Sequence, residues 1–181
     1  MLTKKKYRNC IWAFIAALPV LCANSQEPIF PVPQGNSNQL FYLQRTPNAN
    51  TVVYELNYTN GTLNKNEPIH VFWIRYGDQG QHTELSAIQR KFAYGIKTKL
   101  IAPENYEIRF NAFGRQPLYL KKSTENKLVV FAGSIDKQII LTSIYLKING
   151  GSFWSPDIEY AELRGNDPVN GWPVSERIKI R

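Results

Sequence analysis

The sequence predicts a mainly β protein: a single antiparallel β-sandwich or barrel-like domain with one short α-helix packed on it. Three observations point there. From Leu40 onward, short runs of aromatic and β-branched residues recur at intervals of roughly ten residues. Between them stand segments rich in Gly, Pro, Asn, Asp and Ser, which favour turns through left-handed backbone angles, proline geometry and side-chain hydrogen bonds. Only one stretch carries apolar residues at helical spacing.

The candidate strands, in order, are LFYLQR from Leu40, TVVYELNY from Thr51, IHVFWIRY from Ile69, KTKLIA from Lys97, YEIRFNAF from Tyr106, PLYLKK from Pro117, KLVVFAG from Lys127, KQIILTSIYLKI from Lys137, DIEYAEL from Asp157 and SERIKI from Ser175. The turns between them include TPNAN, TNGT, YGDQG, APEN, FGRQP, STEN, NGG and GNDPVNG. In the longest run Thr142 and Ser143 interrupt a pattern that resumes at Ile144, which predicts a bend or bulge. In TELSAIQRKFAYG, Leu85, Ile88 and Phe92 recur at helical spacing, with Thr83 as N-cap and Gly95 as stop. This predicts a helix over residues 84–94 that buries Leu85, Ile88 and Phe92 and exposes Gln89 and Arg90.

The beginning of the chain reads differently. Lys4, Lys5, Lys6 and Arg8 precede the apolar stretch CIWAFIAALPVLCA, which ends in small residues, the pattern of a secretory signal over residues 1–25 cleaved after Ala23 or Ser25. The stretch is shorter than the ~20 residues a spanning helix needs, and Pro19 interrupts it. A lipoprotein signal would make Cys22 the lipidated first residue, but Leu21 stands where that processing prefers a small side chain. The expected location is therefore periplasmic or secreted, with attachment to a membrane surface only through Cys22. Residues 26–39, rich in Pro, Gly and Asn, read as an extended leader, and residues 40–181 as a single domain.

Cleavage would change the chemistry available. Both cysteines, Cys10 and Cys22, lie in the signal, so the remainder would hold no thiol, no disulfide and no cysteine metal site. The whole chain carries 22 Lys and Arg against 14 Asp and Glu, a net +8; removing the four basic residues of the signal leaves 18 against 14, or +4. That balance is weak for a nucleic-acid-binding domain. It is compatible with attraction to anionic envelope polymers or lipid head groups.

HVFWIRY concentrates chemistry. In a strand, Val71, Trp73 and Arg75 share one face, and His70, Phe72, Ile74 and Tyr76 the other. Both faces are bulky and apolar, so the strand is expected to be central and covered on two sides. Arg75 would either point into a pocket floored by Trp73, ready for an anion, or sit at the strand end and pair with Asp78 or Glu84. In IQRKFAYGIKTK, Arg90, Lys91, Lys97 and Lys99 interleave with Phe92 and Tyr94; the same pattern suits a ligand grip or a solvent-facing sheet edge. In INGGSFWSPDIEYAEL, Phe153 and Trp154 would cap the core or line a pocket mouth, while Asp157, Glu159 and Glu162 are the best paired-carboxylate candidates for cleaving a glycosidic bond.

Other catalytic sets are missing from the sequence. His70 and His82 are the only histidines, and there is no nucleophile-elbow serine, paired-histidine zinc helix or glycine-rich phosphate loop. Asp78, His82 and Glu84 form only a loose set of metal-ligand types, so neither a metal nor another cofactor is expected. NYT and NGT would be glycosylation acceptors only in a eukaryotic secretory pathway.

HVFWIRY, ELSAIQRKFAYGIK and INGGSFWSPDIEYAELRG together resemble a bacterial family of exported proteins known as a domain of unknown function, number 4833. The resemblance implies small exported proteins without an established activity, and it supplies no catalytic or ligand residues. The residues themselves favour a non-enzymatic binding module for an anionic or amphipathic ligand, held near Trp73, Arg75, Arg90, Tyr94 and Trp154. The alternatives are a glycan-active hydrolase using the paired carboxylates and a structural subunit docking to an envelope complex through a sheet edge.

Overall fold

A computed structural model describes residues 30–114, 116–134, 137–152 and 155–180. Residues 1–29, with the expected export signal, Cys10 and Cys22, lie outside the described residues, as do Phe153 and Trp154. The fold is mainly β with one short helix, and its large sheet curls into a half-barrel. The strands are β1 (Gln39–Arg45), β2 (Asn48–Leu56), β3 (Tyr58–Thr59), β4 (Thr62–Leu63), β5 (Ile69–Arg75), β6 (Gln81–Glu84), β7 (Ile96–Ala102), β8 (Asn105–Phe110), β9 (Leu118–Lys122), β10 (Leu128–Ser134), β11 (Lys137–Gly151), β12 (Pro156–Asn166) and β13 (Pro173–Lys179). The helix α1 spans Ala87–Phe92.

Every strand expected from the sequence is present. Two small features are additional: the β3–β4 hairpin, turned by Asn60 and Gly61 with positive φ angles of 51° and 75°, and the four-residue strand β6.

The large sheet runs β6-β5-β2-β1-β11-β10-β9-β8-β7, with β12 on β11 and β13 on β12. All its pairings are antiparallel except β1 with β11, which run parallel in the register Tyr42↔Ser143 to Arg45↔Leu146. A purely antiparallel sheet is therefore corrected at this one junction. The reason lies in the length of β11. Its first residues, Lys137 to Ile140, pair with β10, and residues Ser143 to Leu146 pair with β1, while β12 follows it from Ile140 to Gly151. The register shift between Leu141 and Ser143 leaves Thr142 unpaired and exposed, and its hydroxyl donates to the Arg164 carbonyl at 3.1 Å. The bulge expected at Thr142 and Ser143 thus marks where β11 leaves one wing of the sheet and enters the other.

The two wings enclose one core. Phe41, Leu43, Val52, Tyr54, Val71 and Trp73 from β1, β2 and β5 pack with Tyr106, Ile108, Leu118, Leu120 and Val130 from β8, β9 and β10, and with Ile139, Leu141, Ile144 and Leu163. Phe41 stacks on Tyr54 at 4.4 Å, and Phe110 meets both rings edge-on. The outer face of the first wing holds a smaller apolar group, Val53, Phe72 and Ile74 with Tyr42 and Tyr76 beside it. HVFWIRY is therefore a central strand with apolar neighbours on both faces, as its alternation predicts.

The helix needs correction. It is six residues long, begins at Ser86, and leaves Ile88 and Phe92 half-exposed at 50% and 52%. Leu85 is buried, but from the turn before the helix. Thr83 does not cap the helix because it and Glu84 are taken by β6, opposite Trp73 and Phe72. Ser86 and Gln89 instead form a capping box, each side chain accepting the other's backbone N–H. Gly95 is required as expected of a stop: a Cβ there would stand 1.8 Å from the Arg90 carbonyl oxygen.

The described part of the leader touches the outer face at a few points while Val32 and residues 34–37 stay exposed. Pro33 is buried, the Gln44 amide donates to the Pro31 carbonyl at 2.8 Å, and the Phe30 ring lies 6.2 Å from Tyr145.

Candidate functional site

The structure brings together two of the residues expected to form a pocket, Trp73 and Tyr94, and pairs Arg75 and Arg90 with carboxylates instead. Trp73 and Tyr94 are both buried and meet edge-to-face at 4.9 Å. The cation beside them is Arg45, at the end of β1, whose guanidinium lies 5.8 Å from the Tyr94 ring centre. Burial raises the Tyr94 hydroxyl pKa, and Arg45 works against that rise. The Trp73 indole N–H and the Arg45 Nε–H are both buried without a hydrogen-bond acceptor.

Arg75 does not enter this cluster. It is half-exposed at the strand end and pairs with Asp78 at 2.8 Å, the second of the two arrangements expected from the sequence. Arg90 pairs with Glu84 at 3.3 Å and Glu67 at 3.7 Å. Lys97 and Lys99 are exposed on β7, at the end of the sheet, where alternating lysines guard an edge. Trp154 lies outside the described residues.

On the outer face, His70 is held on both ring nitrogens: Nε2 is 2.7 Å from Glu84 and Nδ1 is 3.3 Å from Glu55. Partial burial works to lower the His70 pKa, but the two carboxylates outweigh it and raise the pKa above the ordinary value. Its ring also stacks on Phe72, which stacks on His82. This group was not visible in the sequence because its members come from β2, β5 and β6 and meet only through strand register. Asp78, His82 and Glu84 are engaged by Arg75, Phe72 and His70 respectively and do not converge; no group of His, Cys, Asp or Glu among the described residues is placed to hold a metal ion.

The densest polar chemistry lies on the outer face of β11, β12 and β13. Register stacks three rows there: Ser143, Arg164 and Ser175; Tyr145, Glu162 and Arg177; Lys147, Tyr160 and Lys179. Glu162 is buried between two arginines, receiving Nη2 of Arg177 at 2.6 Å and Nε of Arg164. Its burial would raise the carboxyl pKa, but these hydrogen bonds and charges overcome that and hold it below 4.5. The guanidinium carbon of Arg177 lies 4.0 Å above the Tyr160 ring, and that of Arg164 lies 5.6 Å from Tyr145.

Two grooves flank this arrangement. One, of about 400 Å³, is lined by Asn149, Asp157, Glu159, Tyr160, Arg177 and Lys179. The register shift between Lys147 and Ile148 lets β12 skip Glu159, so Glu159 joins Asp157 and Tyr160 around one groove instead of following strict alternation. The second, about 470 Å³ and more open, lies beside the β12–β13 loop and is lined by residues including Ser143, Glu162, Arg164, Asn166 and Ser175. Of the three carboxylates considered for catalysis, Asp157 and Glu159 share the first groove, whereas Glu162 is committed to Arg164 and Arg177. The arginines were the residues missed: Arg164 follows Glu162 by two residues on the same face of β12, whereas Arg177 reaches it only through the pairing of β12 with β13.

No curated protein and no solved structure matches the chain. The family model described as Domain of unknown function (DUF4833) matches residues 41–177, from the third residue of β1 nearly to the end of β13. The chain therefore belongs to the DUF4833 family.

Proposed function

We propose that this chain is an exported, non-enzymatic binding module that takes an anionic or amphipathic ligand on the outer face of β11, β12 and β13. The observation that carries the reading is the gathering of Lys147, Arg164, Arg177 and Lys179 with Tyr145 and Tyr160 around Glu162, whose charge the arginines already answer, with Asp157 and Glu159 at the rim of the groove beside Lys179. Fixed cations beside aromatic rings suit an acid group joined to an apolar or ring-bearing body. The groove ending in Arg177 and Lys179 is large enough for a small molecule. For the architecture we favour a sandwich-like closure, since both wings pair with β11 and pack on one core.

Native mass spectrometry of the chain exported to a bacterial periplasm and purified under mild conditions tests the reading. A co-purifying acidic small molecule is expected, and Lys179→Ala with Arg177→Gln should release it. Retention of the same species by a folded double variant would overturn the assignment to this face.

One observation favours a second reading, glycan hydrolysis: Asp157 and Glu159 line the same groove as Tyr160. That reading expects turnover of an envelope glycan that Asp157→Asn or Glu159→Gln abolishes. Docking as a structural subunit has support of its own in the edge strand β7, where Leu100 and Ile101 stand half-exposed.

A further inference from the structure

We infer that the outer face of β7, β8, β9 and β10 docks an acidic polysaccharide. The inference goes beyond the ligand-binding reading and uses none of its residues. Tyr106, Ile108, Leu118, Leu120 and Val130 face the core, so alternation turns Glu107 and Arg109 of β8 and Tyr119 and Lys121 of β9 outward. Pairing places Lys97 of β7 beside Arg109 and aligns Lys99, Glu107, Tyr119 and Phe131 in one row across four strands.

The charges of this wing do not balance. From Ile96 to Ser134 the described bases are Lys97, Lys99, Arg109, Lys121, Lys122 and Lys127, six in all, against the three acids Glu104, Glu107 and Glu125. Each acid is already paired: Glu107 with Arg109 at 2.6 Å, Glu104 with Lys122 at 2.8 Å and Glu125 with Lys127 at 3.0 Å. Lys97, Lys99 and Lys121 are left, all on the outer face, and none has a carboxylate partner among the described residues. The Lys121 ammonium lies 4.3 Å from the Phe131 ring centre, which fixes its position over the sheet without neutralising its charge. Guarding the sheet edge accounts for the lysines on β7, but Lys121 stands two strands inside that edge.

Spacing selects the partner. By strand geometry Lys97 and Lys99 stand about 7 Å apart along β7, and Lys121, two strands across and two residues along, stands about 12 Å from Lys99. One carboxylate or phosphate does not reach all three. A chain with an acid group on successive units does. Tyr119, half-buried in the row of Lys99 and next to Lys121 on its face of β9, offers a ring with a hydroxyl at its edge, which suits the C–H face and hydroxyls of a sugar. Duplex nucleic acid, with one charge about every 1.7 Å, calls for a denser set of cations.

Equilibrium binding of the full chain to immobilised polygalacturonate and dextran sulfate, with dextran as the uncharged control, tests the inference. Both acidic polymers should bind and dextran should not, with affinity falling as NaCl is raised because exposed charges are screened. Replacing Lys97, Lys99 and Lys121 together by Gln should weaken binding about tenfold at low salt, the sum of three modest charge contacts. Replacing the same three by Arg, which keeps the charge, should leave it within about twofold. A control variant with Lys65→Gln, Arg75→Gln and Lys91→Gln loses the same charge from the first wing and the helix, and should also bind within about twofold of the unsubstituted chain. The basic residues near the start of the chain are common to every variant, so the comparison isolates the face. An outer-face Gln variant that binds like the unsubstituted chain, an equal loss in the control variant, or equal binding to dextran would each overturn the inference. So would binding to phosphatidylglycerol vesicles but to neither polymer, or no binding to any of these.

Discussion

His70 carries a carboxylate on each ring nitrogen, and this fixes how it answers pH. Protonated, it donates to Glu55 and Glu84 together; neutral, one nitrogen loses its hydrogen and faces a carboxylate lone pair. The folded pKa is raised above 6.5, so the stabilisation is fully present below that ordinary value and is lost as pH rises through the folded pKa. The ring and Glu84 are both partly solvated, which keeps the effect below about 1 kcal/mol. A His70→Gln variant should therefore be less stable than the parent at pH 5.5 and approach it at pH 8.5 in matched urea titrations. A gap that widens with pH would show that the two glutamates do not govern this histidine. The sequence displayed His70 beside Phe72 but gave no sign of Glu55 or Glu84, because cross-strand neighbours are set by register.

At the scale of elements, β6 and α1 show local propensity yielding to tertiary pairing. Thr83 and Glu84 fit a helix start by composition, yet the ladder opposite Phe72 and Trp73 draws them into a strand and moves the cap to Ser86. A helix of six residues has little stability of its own, so its ends matter. Ser86→Ala should cost about 1 kcal/mol through the lost cap. Gly95→Ala should cost more, about 3 kcal/mol, because its methyl group would meet the Arg90 carbonyl oxygen that the Asn111 amide also binds at 2.8 Å. Chemical denaturation of the two variants checks the order; a Gly95→Ala protein no less stable than Ser86→Ala would contradict the tight return described at this turn. The bulge at Thr142 belongs to the same scale, and here a local break in the pattern did report a structural event.

For the whole molecule, the decisive feature is that both wings of the sheet close on one core. Val52 in the first wing and Leu120 in the second are fully buried in the same cluster. Leu120→Ala should lower stability by about 2–5 kcal/mol, and Val52→Ala by a smaller amount in the same direction. In both variants intrinsic tryptophan fluorescence and far-ultraviolet circular dichroism should follow one shared transition. Separate transitions for the two probes would mean that the core does not unfold as one cooperative unit.

By itself, the sequence determined the ten longer strands, the turns between them and the mainly β class, because side-chain alternation and turn chemistry are local properties written residue by residue. It also displayed the two-sided burial of HVFWIRY, since bulky apolar residues at consecutive positions need cover on both faces. Only the tertiary structure decided which distant charges meet. Arg45 took the place beside Tyr94, His70 came between Glu55 and Glu84, and Arg177 closed on Glu162 from the neighbouring strand, because the register of distant strands and the branching of β11 control those distances; only the local pair of Arg75 with Asp78 was within reach of the sequence. The candidate grooves follow from that pairing, and no spacing along the chain encodes it.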